Sequence, residues 1–211
     1  MKKIIITILS LMIAASFGAG IASAESPTKE IAIYFLYTDN TEDKANPEVD
    51  AVSTATPYTN LEYSDIAAMT EMLVDEKDMD TYAIVVKEKY DANFDAMVDG
   101  AQEDIRNDRQ FTFEHELPDL SEYTDIYLGA PVWWGTFPQP VKSFLENEDL
   151  DLSGKTIHFY SSHLGSRFGN MLEQLKTLWP DAELCSDPYT ISASDSIKEQ
   201  ETDFKEWIKA Q

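Results

Sequence analysis

The chain has 211 residues, of which 39 are acidic and 16 basic, a formal charge of −23. Nucleic acid and anionic lipid repel a polyanion of this kind, which excludes both as partners. The single cysteine, Cys185, excludes an internal disulfide and leaves stability to packing.

The first stretch reads as a targeting segment. Met1-Lys2-Lys3 is followed by apolar Ile4 to Ala15 and by the small residues Ala22-Ser23-Ala24. A charged start, an apolar middle and a small-residue site define a secretory signal peptide, with cleavage expected after Ala24. The expected organisation is therefore residues 1–24 as signal peptide and 25–211 as one domain, secreted or extracytoplasmic, with no membrane span after cleavage. Without Lys2 and Lys3 that domain keeps 14 basic residues against 39 acidic ones, a formal charge of −25.

Lys29 to Tyr37 is the first strand and turns at Thr38 to Thr41. Residues 38–60 form a long insertion, polar from Glu42 to Asn60 and longer than an ordinary βα loop. Thr59-Asn60-Leu61-Glu62 has the form of a capping box, and Ile66, Met69, Thr70 and Leu73 share one face of the helix it opens. Thr81 to Val86 is strand two. Phe94, Met97, Val98, Ala101 and Ile105 stripe helix two.

Asp125 to Ala130 is strand three. It runs into Pro131-Val132-Trp133-Trp134-Gly135, after which Val141, Phe144 and Leu145 mark a short helix with Pro138 and Pro140 at its start. Thr156 to Tyr160 is strand four, and Ser161 to Arg167 is read as the loop after it. Met171, Leu172, Leu175 and Leu178 line helix four. Ala182 to Cys185 is a weak fifth strand, and Phe204, Trp207 and Ile208 seat a terminal helix. Strands alternating with helices imply a three-layer α/β sandwich on a parallel sheet with right-handed crossovers.

Chemistry concentrates after strands three and four. Ligands of open α/β sheets sit at the carboxyl ends of the strands, and two tryptophans in a turn there give up apolar burial unless something flat covers them. In an extended loop the two should project to opposite sides, one toward a ligand and one toward the protein. Five of the six glycines after Ala24 (Gly129, Gly135, Gly154, Gly165 and Gly169) fall in this region. His115, His158 and His163 lack metal-ligand spacing, so no metal is expected.

Tyr123 to Gly135, Phe144-Leu145-Glu146, Leu152 to Thr156 and Ser161-Ser162-His163-Leu164-Gly165-Ser166 together resemble the flavodoxin-like proteins. The likeness points to the short branch of flavodoxins and FMN-dependent quinone reductases. The resemblance implies a doubly wound five-stranded sheet in order 2-1-3-4-5 with FMN as cofactor at its switch point. By carry-over, Pro131, Val132, Trp133, Trp134 and Gly135 flank one side of the flavin ring. Ser161, Ser162, His163, Leu164, Gly165 and Ser166 flank the other. Two positions depart from the family pattern, Asp39 and Arg167, each standing where glycine is expected.

The phosphate is expected at the far end of the insertion, on Ser53, Thr54, Thr56, Thr59 or Asn60. That stretch is uncharged and hydroxyl-rich and lies where the first helix is expected to open, whereas Thr38 to Thr41 carry Asp39 and are followed by Glu42 and Asp43. The leading functional reading is an exported FMN-binding redox protein, an electron carrier or a quinone-type reductase. Its partner would be a basic redox protein or a small quinone-like acceptor. The alternative is a flavodoxin-shaped binding module that has lost its cofactor, and a hydrolase built on Ser161 or Ser162 with His163 is a remote third.

Overall fold

The computed structural model describes residues 29–42, 64–193, 195, 197 and 199–211. The signal segment and most of the insertion, including Ser53, Thr54, Thr56, Thr59 and Asn60, lie outside the described residues.

The strands are β1 (Glu30–Tyr34), β2 (Asp80–Ala83), β3 (Asp125–Pro131), β4 (Thr156–His163), β5 (Glu183–Leu184) and β6 (Tyr189–Ser192). The helices are α1 (Asp65–Lys77), α2 (Phe94–Asn107), α3 (Gln139–Leu145), α4 (Met171–Leu178) and α5 (Glu201–Ala210). The sheet runs β2-β1-β3-β4-β5 with all pairs parallel, so the expected order 2-1-3-4-5 holds. The fifth position is occupied twice: β5 pairs with Thr156 and Ile157 of β4, and β6 pairs with Tyr160 to His163 further along the same edge. Pro188, just ahead of β6, cannot donate to a ladder, which accounts for the interruption.

The period of two in the strands divides the core between the sheet's faces. Ile31, Ile33, Ile126, Leu128, Ile157 and Phe159 face α2, α3 and α4, where Met97, Val141, Phe144 and Leu175 meet them. Ala32, Tyr127, Tyr160 and Ile191 face α1 and α5, against Ile66, Met69, Leu73, Phe204, Trp207 and Ile208. The four residues expected on the inner face of helix one are all buried. Its start is a correction: the N-cap is Ser64, whose hydroxyl accepts the Ala67 N–H at 3.4 Å, and not Thr59.

Gly129 sits opposite Tyr160 in the β3/β4 register. A Cβ there would overlap Cζ and Oη of the Tyr160 ring. Thr70 Oγ1 donates to the Ile66 carbonyl, so the Tyr160 hydroxyl donates to Thr70, 2.7 Å away, and the ring cannot swing aside without losing that bond. Gly129→Ala is expected to cost about 1–3 kcal/mol by overpacking. Denaturant unfolding checks this, and Tyr160→Leu should recover part of the loss in the double variant.

Candidate functional site

In a right-handed parallel sheet the β1, β3 and β4 loops meet at one edge, around the point where strand order reverses. Beyond β1 the chain makes one 3-10 turn, Tyr37–Asp39, and places Asn40 fully buried. The Asn40 side-chain N–H groups donate to the carbonyls of Leu36 (2.7 Å) and Ile84 (3.0 Å), and its Oδ1 accepts the Val86 N–H at 2.8 Å. The β1 turn is thereby riveted to the chain leaving β2.

Beyond β3 the tryptophans lie in a tight turn, not the expected extended loop. Trp133 N–H donates to the Thr136 carbonyl (3.0 Å) and Thr136 N–H to the Trp133 carbonyl (2.9 Å), closing a two-residue hairpin. Both central residues have positive φ, Trp134 at 53° and Gly135 at 76°. This is the pattern of a type I′ turn, which normally takes Asn or Gly first. A bulky residue held there is strained, and such strain clusters at functional sites.

The two indoles have opposite surroundings. Trp133 is 1% exposed and makes edge contacts to Phe35 (5.4 Å) and Tyr90 (5.3 Å), with its Nε1–H unpartnered. Trp134 is 54% exposed, its Nε1 lying 3.4 Å from the Val98 carbonyl of α2. Pro131 ends β3 and Val132 is buried, its N–H bonded to the Ser162 carbonyl at 2.9 Å.

The second expected loop is corrected in part. Ser161, Ser162 and His163 belong to β4 and are buried, because β6 pairs with them and satisfies their backbone. Ser161 Oγ is 3.0 Å from Thr190 Oγ1, and His163 Nδ1 accepts the Gly165 N–H at 2.8 Å, so these two do not form a nucleophile–base pair. Burial and the nearby Arg167 guanidinium push the His163 pKa down, which keeps the imidazole neutral and Nδ1 able to accept. The loop proper begins at Leu164, 46% exposed, and continues through exposed Gly165, Ser166 and Arg167. Arg167 adopts φ 53°, the conformation its expected glycine would hold.

The two loops are docked at their bases. Asn170 N–H donates to the Gly135 carbonyl at 2.9 Å, and Thr136 Oγ1 donates to Gln174 Oε1 at 2.7 Å. Gly169, at φ 53°, lies so close to the Gly135 carbonyl that any side chain would overlap it. Their tips instead present Trp134 and Leu164, the two exposed large hydrophobic residues among those described.

Sequence reading missed Asp65. It opens α1 at 2% exposure with Oδ2 unpartnered, and burial pushes its pKa up to about 7. An aspartate in a first helical turn is ordinarily a solvated dipole partner, so only the fold reveals its burial.

The fold and this loop arrangement define a flavodoxin-like α/β protein. The family model for flavodoxin matches residues 64–211, and the chain belongs to that family. A proposed flavoprotein from Bacteroides uniformis ATCC 8492 is 21% identical, with 86% of this chain and 98% of that one covered at a TM-score of 0.62. A second, from Bacteroides eggerthii DSM 20697, is 19% identical over 87% and 97% of the two chains at 0.57. A flavoprotein from Lactobacillus acidophilus NCFM, solved in complex with FMN, is 15% identical over 82% and 97% at 0.53. At these identities the likeness is one of fold. No curated protein matches the chain.

Proposed function

We propose that the chain is an exported, flavin-binding electron carrier that holds an FMN-type ring between Trp134 and Leu164. The observation that carries this reading is the pair of exposed apolar side chains, one on each loop, at the sheet edge where strand order reverses. Membership of the flavodoxin family and the FMN complex of the Lactobacillus acidophilus relative support the same ligand class.

The flavin, when bound, supplies the redox chemistry. The chain supplies the rest. Trp134 covers one ring face, held out by a strained turn whose base is fixed to Gly169 and Asn170. Neutral His163 fixes the Gly165 amide, setting the shape of the opposing loop. The acidic surface disfavours added negative charge on a bound ring and so favours a low potential.

A formal charge of −25 after signal cleavage repels reduced nicotinamides, which are polyanions, and attracts a basic redox protein. The flavin-loaded, chemically reduced chain should therefore transfer electrons to a basic c-type cytochrome at a rate that falls about tenfold or more between low and physiological ionic strength. A rate independent of salt, together with turnover of reduced nicotinamide and a quinone, would replace the carrier with a reductase.

A further inference from the structure

A groove of about 610 Å³ lies between α2 and the loop that leads into it from β2. One wall is Ala96, Gly100, Glu103, Asp104 and Asn107, which recur at helical spacing and form a stripe of α2 about 16 Å long. The other is Lys89, Tyr90 and Asp91, and Arg109, just past the helix, completes it. Neither Trp134 nor Leu164 lines this groove.

Two features make it more than a crease in the surface. Gly100 stands in mid-helix, where glycine weakens the element, and a Cβ there would meet nothing within 4 Å. The absent side chain leaves the middle of the stripe open. Tyr90 is 6% exposed, and its hydroxyl has no hydrogen-bond partner, which a buried polar group rarely tolerates. Its ring packs on Phe111 (6.0 Å between centroids) and Trp133 (5.3 Å), while Asp104 and Arg109, both groove residues, are the charged neighbours of the hydroxyl. The hydroxyl is therefore the end of Tyr90 that points to the groove. Burial, and after it the Asp104 carboxylate, pushes the Tyr90 pKa up, so the hydroxyl keeps its proton and its oxygen can accept a hydrogen bond.

Charge selects the ligand. Lys89 Nζ is held by Glu114 and the Asp39 carbonyl, each at 2.9 Å, and Arg109 by Asp104 at 3.1 Å. Asp91, ahead of α2, and Glu103, in its third turn, make no ion pair among the described residues. The groove thus keeps two uncompensated carboxylates in a chain of formal charge −23, which repels an anion and concentrates a cation. We propose that this groove binds a linear organic polycation of the polyamine class. One ammonium donates to the Tyr90 hydroxyl oxygen beside Glu103, another rests on Asp91, and the methylene chain between them crosses Gly100.

Isothermal titration calorimetry of the purified chain, in about 0.15 M salt to screen diffuse attraction to a polyanion, tests this. Spermidine and diaminohexane should each bind with one equivalent. Hexamethonium, the same dication as diaminohexane with every N–H replaced by methyl, should bind at least about tenfold more weakly. Tyr90→Phe, which keeps the ring contacts, should weaken diaminohexane about tenfold. Gly100→Leu, which fills the open stretch and favours the helix, should abolish binding. Asp99→Asn, on α2 outside the groove, should leave the affinity within about twofold. Thermal unfolding establishes that each variant is folded. Unchanged binding in Tyr90→Phe or in Gly100→Leu, hexamethonium as tight as diaminohexane, or no binding of either amine overturns the proposal.

Discussion

Trp133→Ala should cost about 3–5 kcal/mol of stability, the range for emptying a core aromatic site, while Trp134→Ala should move stability by no more than about 1 kcal/mol. The difference follows from two adjacent residues of one type on either side of a tight turn. Trp133 is 1% exposed in a nest of rings, with Phe35, Tyr37 and Tyr90 presenting edges at 5.3 to 6.3 Å. Its removal opens a cavity under the β1 turn that rigid neighbours cannot fill. Trp134 gives up most of its burial and carries backbone strain, so its loss leaves no hole. Flavin affinity should show the reverse order, with Trp134→Ala losing on the order of 1–3 kcal/mol of binding by removing an aromatic contact. Equal stability losses, or a Trp134→Ala chain with full flavin affinity, would contradict this division.

Asp65→Asn should stabilise the chain by about 2–4 kcal/mol at pH 8 and by almost nothing at pH 4, by linkage between proton binding and folding. The folded Asp65 pKa is raised to about 7 from the usual 3.8, because burial disfavours the charged carboxylate and only the Ile197 N–H offsets it. Below the unfolded pKa both states hold the proton and nothing is lost. As pH rises toward the folded pKa, the unfolded state releases its proton first, and stability falls. Above about pH 7 the penalty is complete and constant. Asparagine has no such term, so the difference in unfolding free energy between variant and wild type, measured across this range, isolates it. A constant difference from pH 4 to pH 8 would mean that Asp65 is solvated or paired with a cation.

The elements that sequence made legible were those whose pattern is local. Ile66, Met69, Thr70 and Leu73 recur at helical spacing, so the inner face of α1 could be assigned before any contact was known, and the strands around Ile33 and Leu128 could be placed as apolar runs bounded by turn residues, though which side chains face which helices emerged only from the fold. The sheet order came from resemblance, since strand adjacency is not written in periodicity. What failed was decided across the fold. Ser161-Ser162-His163 reads as a polar loop, yet β6 turns it into a buried strand by pairing with it. The helix opens at Asp65 behind the Ser64 N-cap, while the capping box at Thr59 to Glu62 lies outside the described residues. The Trp133–Trp134 turn was expected as extended chain, although Gly135 in second position is the residue a type I′ turn demands. Of the expected site residues, Trp134, Gly135, Leu164, Gly165 and Ser166 lie on the facing loops, Trp133 and Val132 beneath them, and Ser161, Ser162 and His163 inside the sheet.

The most direct test of the account is an absorbance titration of the purified chain with FMN, before and after replacing Trp134 by alanine. Stacking on an indole shifts and broadens the flavin bands, so the wild type should bind one equivalent with a perturbed visible spectrum that Trp134→Ala weakens. A flavin spectrum in the presence of the chain identical to that of free FMN, at protein concentrations well above micromolar, would contradict it.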